Sequence, residues 1–204
     1  MSTLTKAPLE LPEGLIRAVH AAYAHPPRAY HSFAHVQEVL RHFDAVGAGP
    51  GWRHPREVFL ACLFHDAVYQ AGHKDNEAKS AALARAAVET WLPRAGLDVA
   101  RVEHLIRLTA RHGSLAPGDV DPEEALFLDC DMAILGAEPA AFDAYHRGVE
   151  EEYRGHVPAV LYRLGRSRFL TGLLAKHRLF LSDFFHVRYD AAARANLQRA
   201  VDAA

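Results

Sequence analysis

The sequence predicts an all-α protein, and three observations predict it. Apolar residues recur at three- and four-residue spacing along most of the chain, and no stretch alternates with the period of two that marks a strand. Acids and prolines stand where helices would begin, as at Pro55 and in Asp121-Pro122-Glu123-Glu124. Prolines and glycines stand where they would end, as at Pro93, Gly113 and Gly136. With 204 residues and no internal repeat, one domain spanning 1–204 is expected.

The first helix is expected over Leu11–Tyr23, closed by His25-Pro26-Pro27. Ser32 can cap a second, whose stripe is Phe33, Val36, Leu40 and Phe43. His31 and His35 are four apart and share its face, and His42 lies beside the end of the stripe. Pro55 opens a third helix, which is expected to carry the pair His65-Asp66 inside the apolar run from Val58 to Tyr69. After the loop Gln70–Lys74, Asp75 caps a helix reaching Trp91, with Glu77 in its first turn.

Asp98 caps the next helix, whose stripe is Val99, Val102, Leu105, Ile106 and Thr109. One further turn reaches His112, while His104 falls off the stripe into solvent. The helix opened by Asp121 is apolar on all sides from Ala125 to Leu135, yet contains Asp129 and Asp131. Asp131 shares a stripe with Phe127, Leu128, Ile134 and Leu135, and so is expected to point to the core. The last third predicts helices over Pro139–Tyr153, Ala159–His177 and Ala191–Val201, with Tyr153, Arg154, Tyr162, Arg163, Arg166 and Arg168 among them.

Composition narrows the function. A net charge of -2 gives no basic field for a nucleic-acid polymer or an anionic membrane. No apolar stretch approaches the ~18 residues of a spanning helix. The opening MSTLTKAPLELPEGL has two prolines and no apolar centre, unlike a secretory signal. Cys62 and Cys130 both sit in apolar runs, which suits buried free thiols in a reducing compartment, so a cytoplasmic protein is expected. The 14 histidines are the anomaly, and they direct attention to metal spacing.

A polar group inside an apolar helix is costly unless it is paired, hydrogen-bonded or bound to a metal. A satisfied core histidine beside a capped aspartate would account for any one such pair. Taken together, His35, His65, Asp66 and Asp131 bring two imidazoles and two carboxylates from three helices. That N/O donor set suits Mn, Fe, Co, Ni or Mg better than a structural zinc. Four protein ligands on an octahedral ion leave positions open for water and substrate.

These residues resemble the HD-domain metal-dependent phosphohydrolases, whose motif is H…HD…D across a helical bundle. His35 matches the first histidine, His65 and Asp66 the doublet, and Asp131 the distal aspartate. The phrases YHSFAHV, FHDAVYQ, DNEAKSA, LDCDMAILG, VPAVLYRLGRSRFL and ARANLQRA are similar to a subfamily of uncharacterised predicted members, so the likeness covers nearly the whole chain. Ser32 stands where that subfamily often has Asn, and no Glu-Asp pair follows the doublet as it does in some HD nucleotide hydrolases.

The resemblance implies an HD-like bundle with the C-terminal helices, about 139–204, packed on the metal-binding core. It implies hydrolysis of a small phosphorylated substrate by metal-activated water, with Asp66 orienting that water and His31, Glu77 and His112 as proton-transfer or supporting groups. Lys74, Arg111, Tyr162 and Arg166 are the expected substrate contacts. A homodimer is compatible with this reading. Two alternatives stay open: an HD-fold di-iron oxygenase, and a non-catalytic module that binds a nucleotide or metal.

Overall fold

In a computed structural model, residues 7–24, 26 and 28–203 are described, and every regular element among them is helical. The helices are α1 (Glu13–Ala24), α2 (Phe33–Gly47), α3 (Pro55–Phe64), α4 (Asn76–Trp91) and α5 (Val99–Leu108). They continue with α6 (Pro122–Met132), α7 (Pro139–Tyr153), α8 (Ala159–Leu174) and α9 (Asp183–Asp202). Short 3-10 turns follow α5 at Thr109–Arg111 and α6 at Ala133–Gly136. His25 and Pro27, expected to close the first helix, lie outside the described residues. No described helix is long and apolar enough to cross a membrane. The chain packs as two compact units, one reaching Ala110 and one starting at Arg111.

In the first unit α3 is the central rod, with every residue from Glu57 to Phe64 buried. Its one acid, Glu57, accepts the main-chain N–H of Asp98 at 3.2 Å, so the carboxylate ties α3 to the start of α5. α5 lies against α3 and α4, and α2 covers another side of α3. The buried face of α4 is built from Ser80, Ala81, Ala84, Ala87 and Val88, small residues that let the neighbouring backbones come close. Asp98 caps α5 as expected, accepting from Arg101 N at 3.0 Å. Ser32 and Asp75 occupy their cap positions without a side-chain cap bond.

In the second unit α9 and the 3-10 turn after α6 form the centre. Gly136 permits this contact, because a Cβ there would sit 2.7 Å from the Tyr189 carbonyl oxygen. Asn196 of α9 donates to the carbonyls of Leu135 and Ala137 at 2.9 and 2.8 Å. Arg194 closes the end of α8, donating to the carbonyls of Leu174, Lys176 and His177. Asp121 and Glu124 form a reciprocal capping box at the start of α6.

Four expected boundaries are corrected. α3 stops at Phe64, so His65-Asp66 lie on the turn that leaves the helix rather than inside it. α5 tightens into a 3-10 turn at Thr109, which leaves His112 just beyond the last regular residue. α8 ends at Leu174, before His177, and α9 begins eight residues before Ala191, at Asp183. Ser182 is the cap of that earlier start, accepting from Phe185 N at 3.4 Å. The β-branched and aromatic run Phe184-Phe185-His186-Val187 weakens local helix preference, and burial of Phe185 overrides it.

Candidate metal centre

His35 comes from the first turn of α2, and His65-Asp66 from the turn at the end of α3. The His65 main chain is still helical, its N–H bonded to Ala61 O at 2.9 Å. Ala67 N then closes onto Phe64 O at 3.0 Å. The apolar rod thus delivers both polar side chains at its tip, with His65 enclosed and Asp66 reaching partly to solvent. His35 and His65 are buried, and Asp66 is only half-buried.

Three donor atoms meet at one point. His35 Nε2 lies 3.0 Å from His65 Nε2 and 3.5 Å from Asp66 Oδ2, and His65 Nε2 lies 3.2 Å from the same oxygen. Metal–ligand bonds of ~2.1 Å give donor–donor edges of about 3.0 Å in an octahedron and about 3.4 Å in a tetrahedron. The triangle spans those values, so the residues fit a small divalent ion. Among the described residues, His35, His65 and Asp66 form the one group of three or more His, Cys, Asp and Glu close enough to hold a metal ion.

The protonation pattern also suits an ion. His65 Nδ1 lies 3.0 Å from the Cys62 carbonyl, which can only accept, so Nδ1 carries a proton and Nε2 is the nitrogen turned toward His35 and Asp66. Burial alone would raise the Asp66 carboxyl. The charge and hydrogen bond of His65, with the charges of His31 and His35, outweigh burial and hold it well below the usual carboxylate range. The carboxylate is therefore ready to coordinate.

The surroundings are aromatic and firmly braced. His31 stacks on Tyr69, with ring centroids 4.0 Å apart, and faces His35 edge-on at 5.9 Å. Tyr30 packs on His35 at 4.9 Å. Arg28, which the sequence reading passed over, clamps this arrangement. Its Nη1 donates to the carbonyls of Asp66 and His31 at 2.6 and 3.0 Å, and its Nη2 to those of Ala67 and Ala22 at 2.9 and 3.0 Å. Its guanidinium also lies over the rings of Tyr23 and Tyr69. One planar group thus joins the end of α1, the loop before α2 and the doublet turn. Only its place in the Pro-Tyr-His loop could have hinted at it. Beyond the turn, Ser80 Oγ bonds both N–H and C=O of Val68, and Asn76 does the same for Gln70.

The other expected residues are distributed as follows. Lys74 is exposed and Glu77 half-buried, and neither makes a hydrogen bond or ion pair with the triad. His42 is buried elsewhere on α2, where burial and then the Arg41 charge push its pKa down to about 4. In the second unit His112 Nδ1 pairs with Asp131 Oδ2 at 3.0 Å, both side chains half-buried. Asp131 is therefore less enclosed than its stripe predicts. The deeply buried acid of α6 is Asp129, which accepts from Leu181 N, Ser182 N and Ser182 Oγ at 2.8, 2.7 and 2.6 Å. It is committed to holding the start of α9. Arg111 is exposed, and Tyr162 and Arg166 are half-buried on α8. Cys62 and Cys130 are buried free thiols, as expected.

Compared with protein-family models, curated proteins and solved structures, the chain matches none of them.

Proposed function

We propose that the chain is a metal-dependent phosphohydrolase of the HD-domain kind, with an HD-like helical bundle. The observation that carries this reading is the meeting of His35 Nε2, His65 Nε2 and Asp66 Oδ2 within 3.5 Å of one another. The motif adds Asp131 as a fourth ligand, an assignment that rests on sequence pattern. A bound Mn, Fe, Co, Ni or Mg ion would polarise a phosphoryl group and lower the pKa of a coordinated water.

The chain's own residues then orient and restrain. The Cys62 carbonyl fixes the His65 tautomer, and Arg28 fixes the doublet turn. Asp66 keeps its charge and presents an oxygen to orient the attacking water. His31, half-buried and held against Tyr69, is placed beside the triad to pass a proton. The substrate is a small phosphate ester. Metal analysis of purified protein, with a phosphatase screen across Mn, Co, Ni and Mg, tests the reading. Stoichiometric metal and turnover, both abolished by His65→Ala, are expected. Wild-type turnover in His65→Ala would overturn it.

One observation favours a second reading. Two imidazoles and one carboxylate on one face are also the donor set of non-haem Fe(II) oxygenases. Oxygen consumption by iron-loaded protein, with no phosphatase activity under any metal, would select that alternative.

A further inference from the structure

We propose that the second unit carries an oxyanion-binding site, independent of the metal centre, built from Arg166 and Tyr162 of α8 and His146 of α7. Arg166 lies with its guanidinium 5.0 Å from the ring centroid of Tyr145 and 5.4 Å from that of Phe169. These cation–π contacts consume no N–H donor. Its Nε and Nη2 are buried and have no hydrogen-bond partner. They are the two nitrogens of the side edge, the fork that meets a phosphate or carboxylate through two parallel bonds.

Two more orphaned groups lie beside it. Tyr162 stands one helical turn before Arg166, and its hydroxyl is buried without a partner. His146 Nδ1 is buried and unpartnered as well. Tyr162 packs on Tyr153 at 5.2 Å and His146 on Phe142 at 6.2 Å, so both rings are seated on α7. Burial raises the Tyr162 pKa to about 12 and lowers that of His146, and the Arg166 charge is the next influence on each.

Buried polar atoms are partnered in the great majority of cases, and enclosed donors of a charged group are among the most costly exceptions. Three such groups at one seam, all able to donate, share one solution: an oxygen-rich anion held by the Arg166 fork, the Tyr162 hydroxyl and the His146 imidazole. The ligand class is a phosphate or carboxylate group. The surrounding Tyr145, Tyr153 and Phe169 rings suit one that carries an apolar or aromatic body. Neither the donors nor their partners belong to the triad, so the inference does not depend on the proposed hydrolase.

The test is thermal unfolding of the full chain with inorganic phosphate, sulfate, acetate and chloride at matched ionic strength, with and without EDTA. Phosphate is expected to raise the midpoint saturably, because it binds the folded state only. Tyr162→Phe, which removes one hydroxyl and no packing, should weaken phosphate about tenfold. Arg166→Met should abolish the response while leaving the ligand-free midpoint equal or higher, since it removes an unpaired charge. His65→Ala and EDTA should leave the response intact. An acetate response of similar size marks a general oxyanion site, and a phosphate-only response marks a phosphate site; either supports the proposal. A full phosphate response in Arg166→Met would overturn it. A response lost with EDTA would overturn it too, by placing the anion at the metal centre.

Discussion

The doublet turn after α3 and the Asp129–Asp131 segment of α6 look alike in sequence, each placing acids in an apolar helix. They solve the cost of burial in different ways. At the doublet turn the helix ends first, so Asp66 stays half-buried and its side chain meets two imidazoles. Within α6 the helix continues, and Asp129 is enclosed completely. Its two oxygens take three donors, all from Leu181 and Ser182. Asp131, two residues on, is half-buried and paired with His112. Deep burial with main-chain donors marks a structural acid, whereas partial burial with imidazole partners marks one able to exchange partners.

The largest effect that would break this comparison lies at Asp129. Replacing it with Ala orphans two main-chain N–H groups and the Ser182 hydroxyl, and detaches the start of α9 from α6. A loss of about 3–5 kcal/mol is expected, read by urea unfolding. A loss near zero would mean that its three bonds contribute nothing net, and the structural assignment would fail.

Next in size is Arg28. Arg28→Met leaves four carbonyls without their donor and should cost about 2–3 kcal/mol. It should also weaken metal binding about 10- to 100-fold, as removal of outer partners usually does. Lys, which lacks the planar fork, should restore little of either. Unchanged metal affinity in a folded Arg28→Met protein would show that the clamp holds the fold but not the ligands.

A pH effect at His42 serves as a control, since burial, Arg41 and Glu38 set its pKa rather than either segment. Its folded pKa of about 4 lies below the unfolded value of about 6.5, so the unfolded chain binds the extra proton first. Stability is therefore full above about 6.5 and falls as pH drops toward the folded value. At pH 5 the loss relative to pH 7 should be about 2 kcal/mol, on the scale of 1.4 kcal/mol for each unit. In His42→Leu that part of the acid sensitivity should vanish. A wild-type and a variant curve that run parallel would mean that folding leaves the His42 pKa unchanged.

These contrasts also show what local pattern can and cannot carry. Helix class and most starts were legible because they depend on short-range signals: Pro139 at the first turn of α7, Asp98 with its cap bond, and the Asp121–Glu124 box. The late start expected for α9 was wrong because burial of Phe185 is a tertiary fact. His35, His65 and Asp66 were legible as polar groups in apolar company. Whether Asp129 or Asp131 would be the enclosed acid was not, since it turns on where Leu181 and Ser182 fall, some fifty residues away. Arg28 left no periodic trace, because its work is done through carbonyls that every residue has.

The smallest effect on stability, and the sharpest on function, is expected at Asp66. Asp66→Asn keeps the shape of the side chain and leaves its main-chain carbonyl to Arg28. No main-chain donor depends on the lost oxygen, unlike at Asp129. The metal-free variant loses only the imidazole attraction that holds its carboxyl low, and should unfold about 1–2 kcal/mol below wild type. Metal affinity should fall further than the about 10- to 100-fold that loss of an outer partner costs, because a charged donor itself is removed. Titration with Mn or Ni, alongside urea unfolding in EDTA, reads both quantities from one preparation. A variant that binds metal as wild type does would remove Asp66 from the ligand set. One that loses several kcal/mol without metal would make it a structural acid like Asp129, and the difference between the two segments would disappear.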